Sequence, residues 1–288
     1  MSAVFETSTL TDDEWRLVIK TIKIGECVPF IGAGASMGVN VSGVPTGSEL
    51  ARKIADECNY HGAERDDFLR VCQFCELTDG PHLLRKCIVE NLNEARSTPS
   101  AVHMTLAELP VTHVLTTNFD SLMERAFKTA QKKPKVVIHD FRSKRAVNVP
   151  QGSKDEPVVF KLHGSVDQPS SMVCTEDDVV QFLAGLIHEQ PPLPASIRQL
   201  FESRSFLFIG YGLRDWNIRV MIRTLRWNNP QPDWIRSFAI QRRPPDKRLA
   251  VDFDNMVIYW NRKEGILCFD ADAGTFSTQL KEKLTLYS

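Results

Sequence analysis

No run of apolar residues in this chain approaches the roughly 18 that a membrane-crossing helix requires, so no membrane span is expected. The formal net charge is −1, which removes any global basic pull toward nucleic acid. Short basic runs such as Lys132-Lys133 and Gln241-Arg242-Arg243 read as solvated surface. The first residues, Met1-Ser2-Ala3-Val4-Phe5-Glu6, have neither the basic region nor the apolar stretch of a secretory leader. The seven cysteines, at positions 27, 58, 72, 75, 87, 174 and 268, are scattered and odd in number. Reduced thiols and a cytoplasmic location are the expectation. Cys72 and Cys75 have C-x-x-C spacing, but no second Cys or His pair is placed to complete four zinc ligands. Phe68, Leu69, Val71 and Leu77 around them have helical spacing, so the pair reads as two small apolar residues on a helix face. There is no internal repeat and no low-complexity segment.

What is present is an ordinary globular composition. At 288 residues, with 42% hydrophobic and 25% charged residues, the chain has the material for one large α/β domain or two smaller ones. Thr11-Asp12-Asp13-Glu14 is a capping box that starts a helix through Trp15, Val18, Ile19 and Ile22. Short apolar runs then alternate with helical patterns. Strands are expected over Val28–Ile31, Val111–Thr116, Lys135–Ile138, Val158–Leu162 and Ser205–Ile209, and around Phe238–Ile240 and Val257–Trp260. A helix near Thr275–Leu284 closes the chain. The alternation predicts a Rossmann-like, mostly parallel sheet flanked by helices. The stretch from Ala63 to Leu109 is helical in pattern, broken at Gly80-Pro81 and Thr98-Pro99-Ser100. It reads as a helical insertion or small lobe within a single domain spanning residues 1–288.

Four short segments carry the chemistry. Phe30-Ile31-Gly32-Ala33-Gly34-Ala35-Ser36 is a glycine turn after a strand, where backbone N–H groups approach a pyrophosphate and Ser36 adds a hydroxyl. The dinucleotide fingerprint G-x-G-x-x-G is not met, because Met37 holds the third glycine position; a tight turn with no ligand explains the loop equally well. In Thr116-Thr117-Asn118-Phe119-Asp120, the Asn118 amide holds a ribose hydroxyl or positions a water, or else Asn118 or Asp120 caps the following helix. In Lys161-Leu162-His163-Gly164, a strand-end imidazole suits proton transfer near pH 7, against the alternative of a structural histidine. His139 is its nearest rival among the other histidines. Phe208-Ile209-Gly210-Tyr211-Gly212-Leu213-Arg214-Asp215 is a second glycine turn, lining a nucleotide's adenosine end or simply joining strand to helix, with Asp215 on ribose hydroxyls or capping. In open α/β sheets, ligands lie outside the carboxyl ends of the strands.

In this order the segments resemble the sirtuin superfamily, and more closely its bacterial sirtuin-like NADase branch found in antiphage systems. The resemblance runs from about Val28 to Trp216. Gly32-Ala33-Gly34-Ala35-Ser36 is similar to the family's first phosphate loop, and Gly43-Val44-Pro45-Thr46 to its G-[IV]-P segment, without the Asp-Phe-Arg that follows in protein deacylases. Thr117-Asn118-Phe119-Asp120, His163-Gly164 and Phe208–Leu213 resemble its three later motifs. The resemblance implies a sheet that binds NAD as a substrate, with the nicotinamide–ribose bond cleaved and no metal required. Between Gly164 and Asp178 only Cys174 occurs, so the deacylases' four-cysteine zinc module has no counterpart there and water becomes the expected acceptor. On that reading Gly32, Ala33, Gly34, Ser36 and Pro45 hold NAD together with Thr117, Gly210, Tyr211, Gly212 and Asp215. Asn118 orients ribose and water, Asp120 supports it, and His163 takes the proton. The resemblance also implies gating: a homo-oligomer, or a complex with a separate partner such as a HerA-type ATPase or an Argonaute, in abortive antiviral defence. The alternatives are an NAD-dependent deacylase, a non-catalytic NAD or ADP-ribose sensor, and an ordinary Rossmann oxidoreductase.

Overall fold

The computed structural model describes residues 10–36, 44–92, 97–213, 216–227 and 236–287. Seven strands form one sheet: β1 (Cys27–Ile31), β2 (His113–Thr116), β3 (Lys135–Ile138), β4 (Val158–Lys161), β5 (Ser205–Ile209), β6 (Ser237–Gln241) and β7 (Ile266–Asp270). Their order is β3-β4-β2-β1-β5-β6-β7, and every neighbouring pair is parallel. The chain leaves β1 toward β2 and later returns to β1's other side as β5. The strand order therefore reverses between β1 and β5, where ligands of doubly wound sheets bind.

Helices cover both faces. α1 (Asp12–Lys23) begins at the expected capping box, with Thr11 Oγ1 accepting from the Glu14 N–H at 3.3 Å. It buries Trp15, Val18, Ile19 and Ile22. Following it in the chain are α2 (Gly47–Glu57), α3 (Phe68–Asp79), α4 (Pro81–Leu92), α5 (Ala101–Glu108) and α6 (Leu122–Thr129). The second half adds α7 (Glu176–His188), α8 (Ala195–Ser203), α9 (Trp216–Trp227), α10 (Lys247–Glu264) and α11 (Ala273–Leu286). Strand alternation assigns the two cores. Phe30, Phe160, Phe206 and Phe208 point to the side of α7–α10, while Ile31, Val159, Leu207 and Ile209 point to the side of α1, α5, α6 and α11.

A third core belongs to α2, α3 and α4. Leu50, Ile54, Val71, Leu84 and Ile88 pack there with Cys58, Cys72, Cys75, Cys87 and Cys174. The C-x-x-C pair is thus core, as its helical spacing indicates, and burial raises both thiols, that of Cys75 to about 12. Among the described residues no three His, Cys, Asp or Glu side chains are placed to hold a metal ion. No described helix is long and apolar enough to cross a membrane.

One expected strand is a helix. Val257-Ile258-Tyr259-Trp260 has the β-branched and aromatic content of a strand, yet it lies inside α10. Asp246 caps that helix by accepting from the Arg248 and Leu249 N–H groups. Ala250, Phe253 and Trp260 lie at helical spacing on its buried face. Gly265, at φ 60°, ends it and releases the true edge strand β7.

Candidate active site

The loops after β1, β2, β4 and β5 meet at the switch point, and glycine makes the meeting possible. Gly32 N–H donates to the Ile209 carbonyl at 2.8 Å and Gly34 N–H to the Gly210 carbonyl at 2.9 Å. A Cβ on Gly210 would stand 2.1 Å from Ala35 N, and one on Gly32 2.7 Å from the Gly210 oxygen. Gly210 also has φ 80°. The glycines let one loop lie on the other. The two N–H groups expected to face a pyrophosphate are therefore spent on protein carbonyls. Tyr211 fastens the assembly from behind: its hydroxyl donates to the Ile31 carbonyl at 2.9 Å and sits 3.0 Å from Thr117 Oγ1. Burial raises its phenol far above the usual range.

In front of this junction lies a cavity of about 210 Å³, roofed by the α2–α4 lobe. Ala33, Ser36, Pro45, Thr117, Asn118, Asp120 and His163 all line it, so seven of the expected site residues share one wall. Gly32, Gly34, Gly210 and Tyr211 stand behind the wall, and Gly212 is exposed. Asp215 and Gly43 lie outside the described residues. Asn118 is held twice: its N–H donates to Thr116 Oγ1 at 3.0 Å and its Nδ2 to the Gly32 carbonyl at 3.3 Å. Asp120 Oδ1 accepts from the Leu122 N–H at 3.0 Å, so this carboxylate holds the turn leading into α6, whose N-cap is Ser121, as well as lining the cavity. Burial raises its pKa, against the pull of nearby Lys161.

His163 lies in the turn just after β4 and packs edge-on against Phe182, with ring centroids 4.7 Å apart. Burial, with His139 nearby, lowers its pKa to about 3. The ring is therefore neutral at pH 7, and its Nε2, shut from solvent, has no protein partner. Ser36 Oγ is likewise buried and unpartnered. Two orphaned polar groups on one cavity wall fit a ligand that carries phosphate and hydroxyl groups, as NAD does.

Two further features carry no signature in the motifs. Lys161 is wholly buried at the end of β4, where its Nζ donates to the Asp120 carbonyl and pairs with Glu124 of α6 at 3.0 Å. It fixes the loop that bears Asn118. The signal for it is a lone cation closing an otherwise apolar strand. Asn217, in the first turn of α9, joins His163 on the wall of a second chamber of about 460 Å³. Its Oδ1 is buried without a partner. The two chambers adjoin, both bounded by Gly47, Phe68, Leu69, His163 and Val173.

A larger cavity of about 720 Å³ lies beside α4, lined by Glu76, Arg85, Lys86, Glu90 and Arg142 among others. Its cations are already paired: Arg85 with Glu76 and Asp178, Arg142 with Asp178, and Lys86 with Glu90. None of the four segments reaches it.

A family model described as a SIR2-like domain matches residues 112–264, more than half of the chain. The chain belongs to the SIR2-like family. The match takes in the Asn118, His163 and Gly210 segments and the helix bearing Asn217. Similar proteins include NAD(+) hydrolase ThsA of Cytobacillus dafuensis, 27% identical over 230 residues, covering 78% of this chain and 44% of that protein. NAD(+) hydrolase ThsA of Bacillus cereus (strain MSX-D12) is 28% identical over 232 residues, 79% of this chain and 46% of that one. Defense-associated sirtuin 2 of Bacillus subtilis is 22% identical over 264 residues, 88% of this chain and 24% of that protein. This SIR2-like chain therefore spans less than half the length of each of these relatives.

Proposed function

We propose that the chain cleaves the nicotinamide–ribose bond of NAD and passes the ADP-ribosyl group to water, giving nicotinamide and ADP-ribose. The observation that carries this reading is one cavity wall holding Asn118, neutral His163 with an unpartnered Nε2, and the Ala33–Ser36 turn with an unpartnered Ser36 Oγ. The relatives named NAD(+) hydrolase support the same chemistry. Ala33 and Ser36 hold the phosphates, and Pro45 and Thr117 shape the wall around the ribose. Gly32, Gly34, Gly210, Tyr211 and Gly212 act by keeping the loops in register, and Asp215 by meeting the adenosine end. Asn118 orients the ribose and the attacking water, and Asp120 keeps the Asn118 loop on the helix end. His163 accepts the water's proton at Nε2. Burial keeps the ring neutral at pH 7, so Nε2 is free of a proton in the resting site when the proton sits on Nδ1.

The likeness to a protein named as a defence-associated sirtuin supports a role in defence, and the proposed form of that role is antiphage NAD depletion in the cytoplasm. Such an activity harms its own cell unless gated. Assembly is the proposed gate, as a homo-oligomer or with a separate sensor or ATPase such as a HerA-type ATPase or an Argonaute. The helical stretch from Ala63 to Leu109 and the segment after Trp260 are the proposed contact surfaces of a single NAD-binding domain. The test is NAD consumption by purified Asn118→Ala and His163→Ala proteins. Each loses about 10²-fold or more while still unfolding in one cooperative urea transition. Nearly full activity in both would overturn the assignment, and release of nicotinamide only with an added acyl-lysine peptide would favour the deacylase instead.

A further inference from the structure

The chamber beyond His163 is far larger than the proposed nucleophile needs. One water occupies about 30 Å³ of liquid, whereas this chamber measures about 460 Å³. Its walls are mainly apolar, with Val179 and Phe182 of α7 facing Ile218 and Met221 of α9. Two residues of that lining, His163 and Asn217, each have a buried side-chain atom, Nε2 and Oδ1, with no protein partner. An amide oxygen accepts hydrogen bonds, and so does Nε2 in the tautomer that carries its proton on Nδ1, so donors on an apolar body would satisfy both. An unmet acceptor in such surroundings is costly unless a ligand supplies the donor.

We propose that this chamber binds an organic alcohol as an alternative acceptor of the ADP-ribosyl group, one whose apolar body also carries an N–H donor for Asn217. The proposal rests on the NAD-cleaving reading and adds a transfer activity to it. The alcohol oxygen bonds to C1′ of the nicotinamide ribose. The C1′–N bond breaks, nicotinamide leaves with its electron pair, and the hydroxyl proton passes to His163 Nε2. The products are nicotinamide, a 1′-O-alkyl ADP-ribose and one proton.

The test mixes NAD and the full chain with equimolar methanol and 3-(hydroxymethyl)benzamide, and quantifies both adducts by mass spectrometry. The expected result is an aryl adduct at least about tenfold above the methanol adduct, the scale on which one buried hydrogen bond discriminates. Asn217→Ala lowers that ratio by removing the acceptor, and Met221→Trp lowers it by filling the chamber. Because each ratio is internal to one reaction, it does not depend on how much of a variant is folded. Nicotinamide release with ADP-ribose as the only other product would overturn the proposal, and so would adducts formed without preference between the two alcohols. No nicotinamide in any reaction would overturn the NAD-cleaving reading, and this proposal with it.

Discussion

Lys161→Met tests whether a buried ion pair sets the position of the Asn118 loop. Lys161 is wholly buried and Glu124 nearly so, with Nζ and Oε1 3.0 Å apart. Removing one partner of such a pair costs about 3–5 kcal/mol, because the other charge is left in a poorly solvating interior. The same substitution takes the donor from the Asp120 carbonyl. In Lys161→Met/Glu124→Leu the stranded carboxylate is gone, and the residual cost is that of the unmet carbonyl, about 1–3 kcal/mol. The double variant is therefore expected to be more stable than Lys161→Met, giving a coupling energy of several kcal/mol in the cycle. Urea unfolding at constant m measures all four proteins. A pH series adds an independent arm. Burial already raises the Glu124 pKa, and Lys161 opposes that rise. Without the lysine the carboxyl is raised further, so the folded state gains stability as pH falls through that value. The deficit of Lys161→Met narrows between pH 8 and pH 5, and the double variant shows no such recovery. A single-variant cost under about 1 kcal/mol, or a double variant costing the sum of the singles, would refute the reasoning.

Gly210→Ala is expected to lose more than about 2 kcal/mol, since a left-handed φ and a Cβ 2.1 Å from Ala35 N act together; an unchanged urea midpoint would contradict the loop-on-loop packing. Burial lowers His103 and His139 to about 4 and His163 to about 3. Unfolded histidines protonate near 6.5, so stability falls as pH drops below that value, by about 1.4 kcal/mol per pH unit for each ring. The raised carboxyls of Asp120 and Glu124 offset part of that loss, and a midpoint that is flat from pH 7 to pH 5 would count against three neutral buried rings. All seven cysteines are free and six are buried, so alkylation of the native protein at pH 7.5 is expected to be slow at every one of the six and complete in urea, read by peptide mass mapping.

Most of the architecture is legible in the sequence, because each strand is a short apolar run ended by a glycine or a polar turn. The capping box at Thr11 marks a helix start that the structure retains. The failure at Val257–Trp260 is instructive. Four strand-favouring residues in a row say nothing of the helix cap eleven residues earlier, and it is the burial of Phe253 and Trp260 on one face that decides. In the site, most of the residues that reach the cavity lie in the loops just past the strand ends. The glycines point to the right place for a different reason, since they serve loop packing rather than direct contact. Lys161 and Asn217 matter through partners, or the lack of them, more than 30 residues away in the chain or across a cavity. No local pattern encodes that.

The central claim is the cleavage of NAD by this chain with water as the acceptor. The most direct measurement is the reaction in H₂¹⁸O, with and without the products of neighbouring genes, quantifying nicotinamide and ADP-ribose. The account predicts equal amounts of the two products, with ¹⁸O entering at C1′ of the ribose, and both products lowered about 10²-fold or more in His163→Ala. NAD left intact under every condition, or nicotinamide released only when an acyl peptide is supplied, would contradict it.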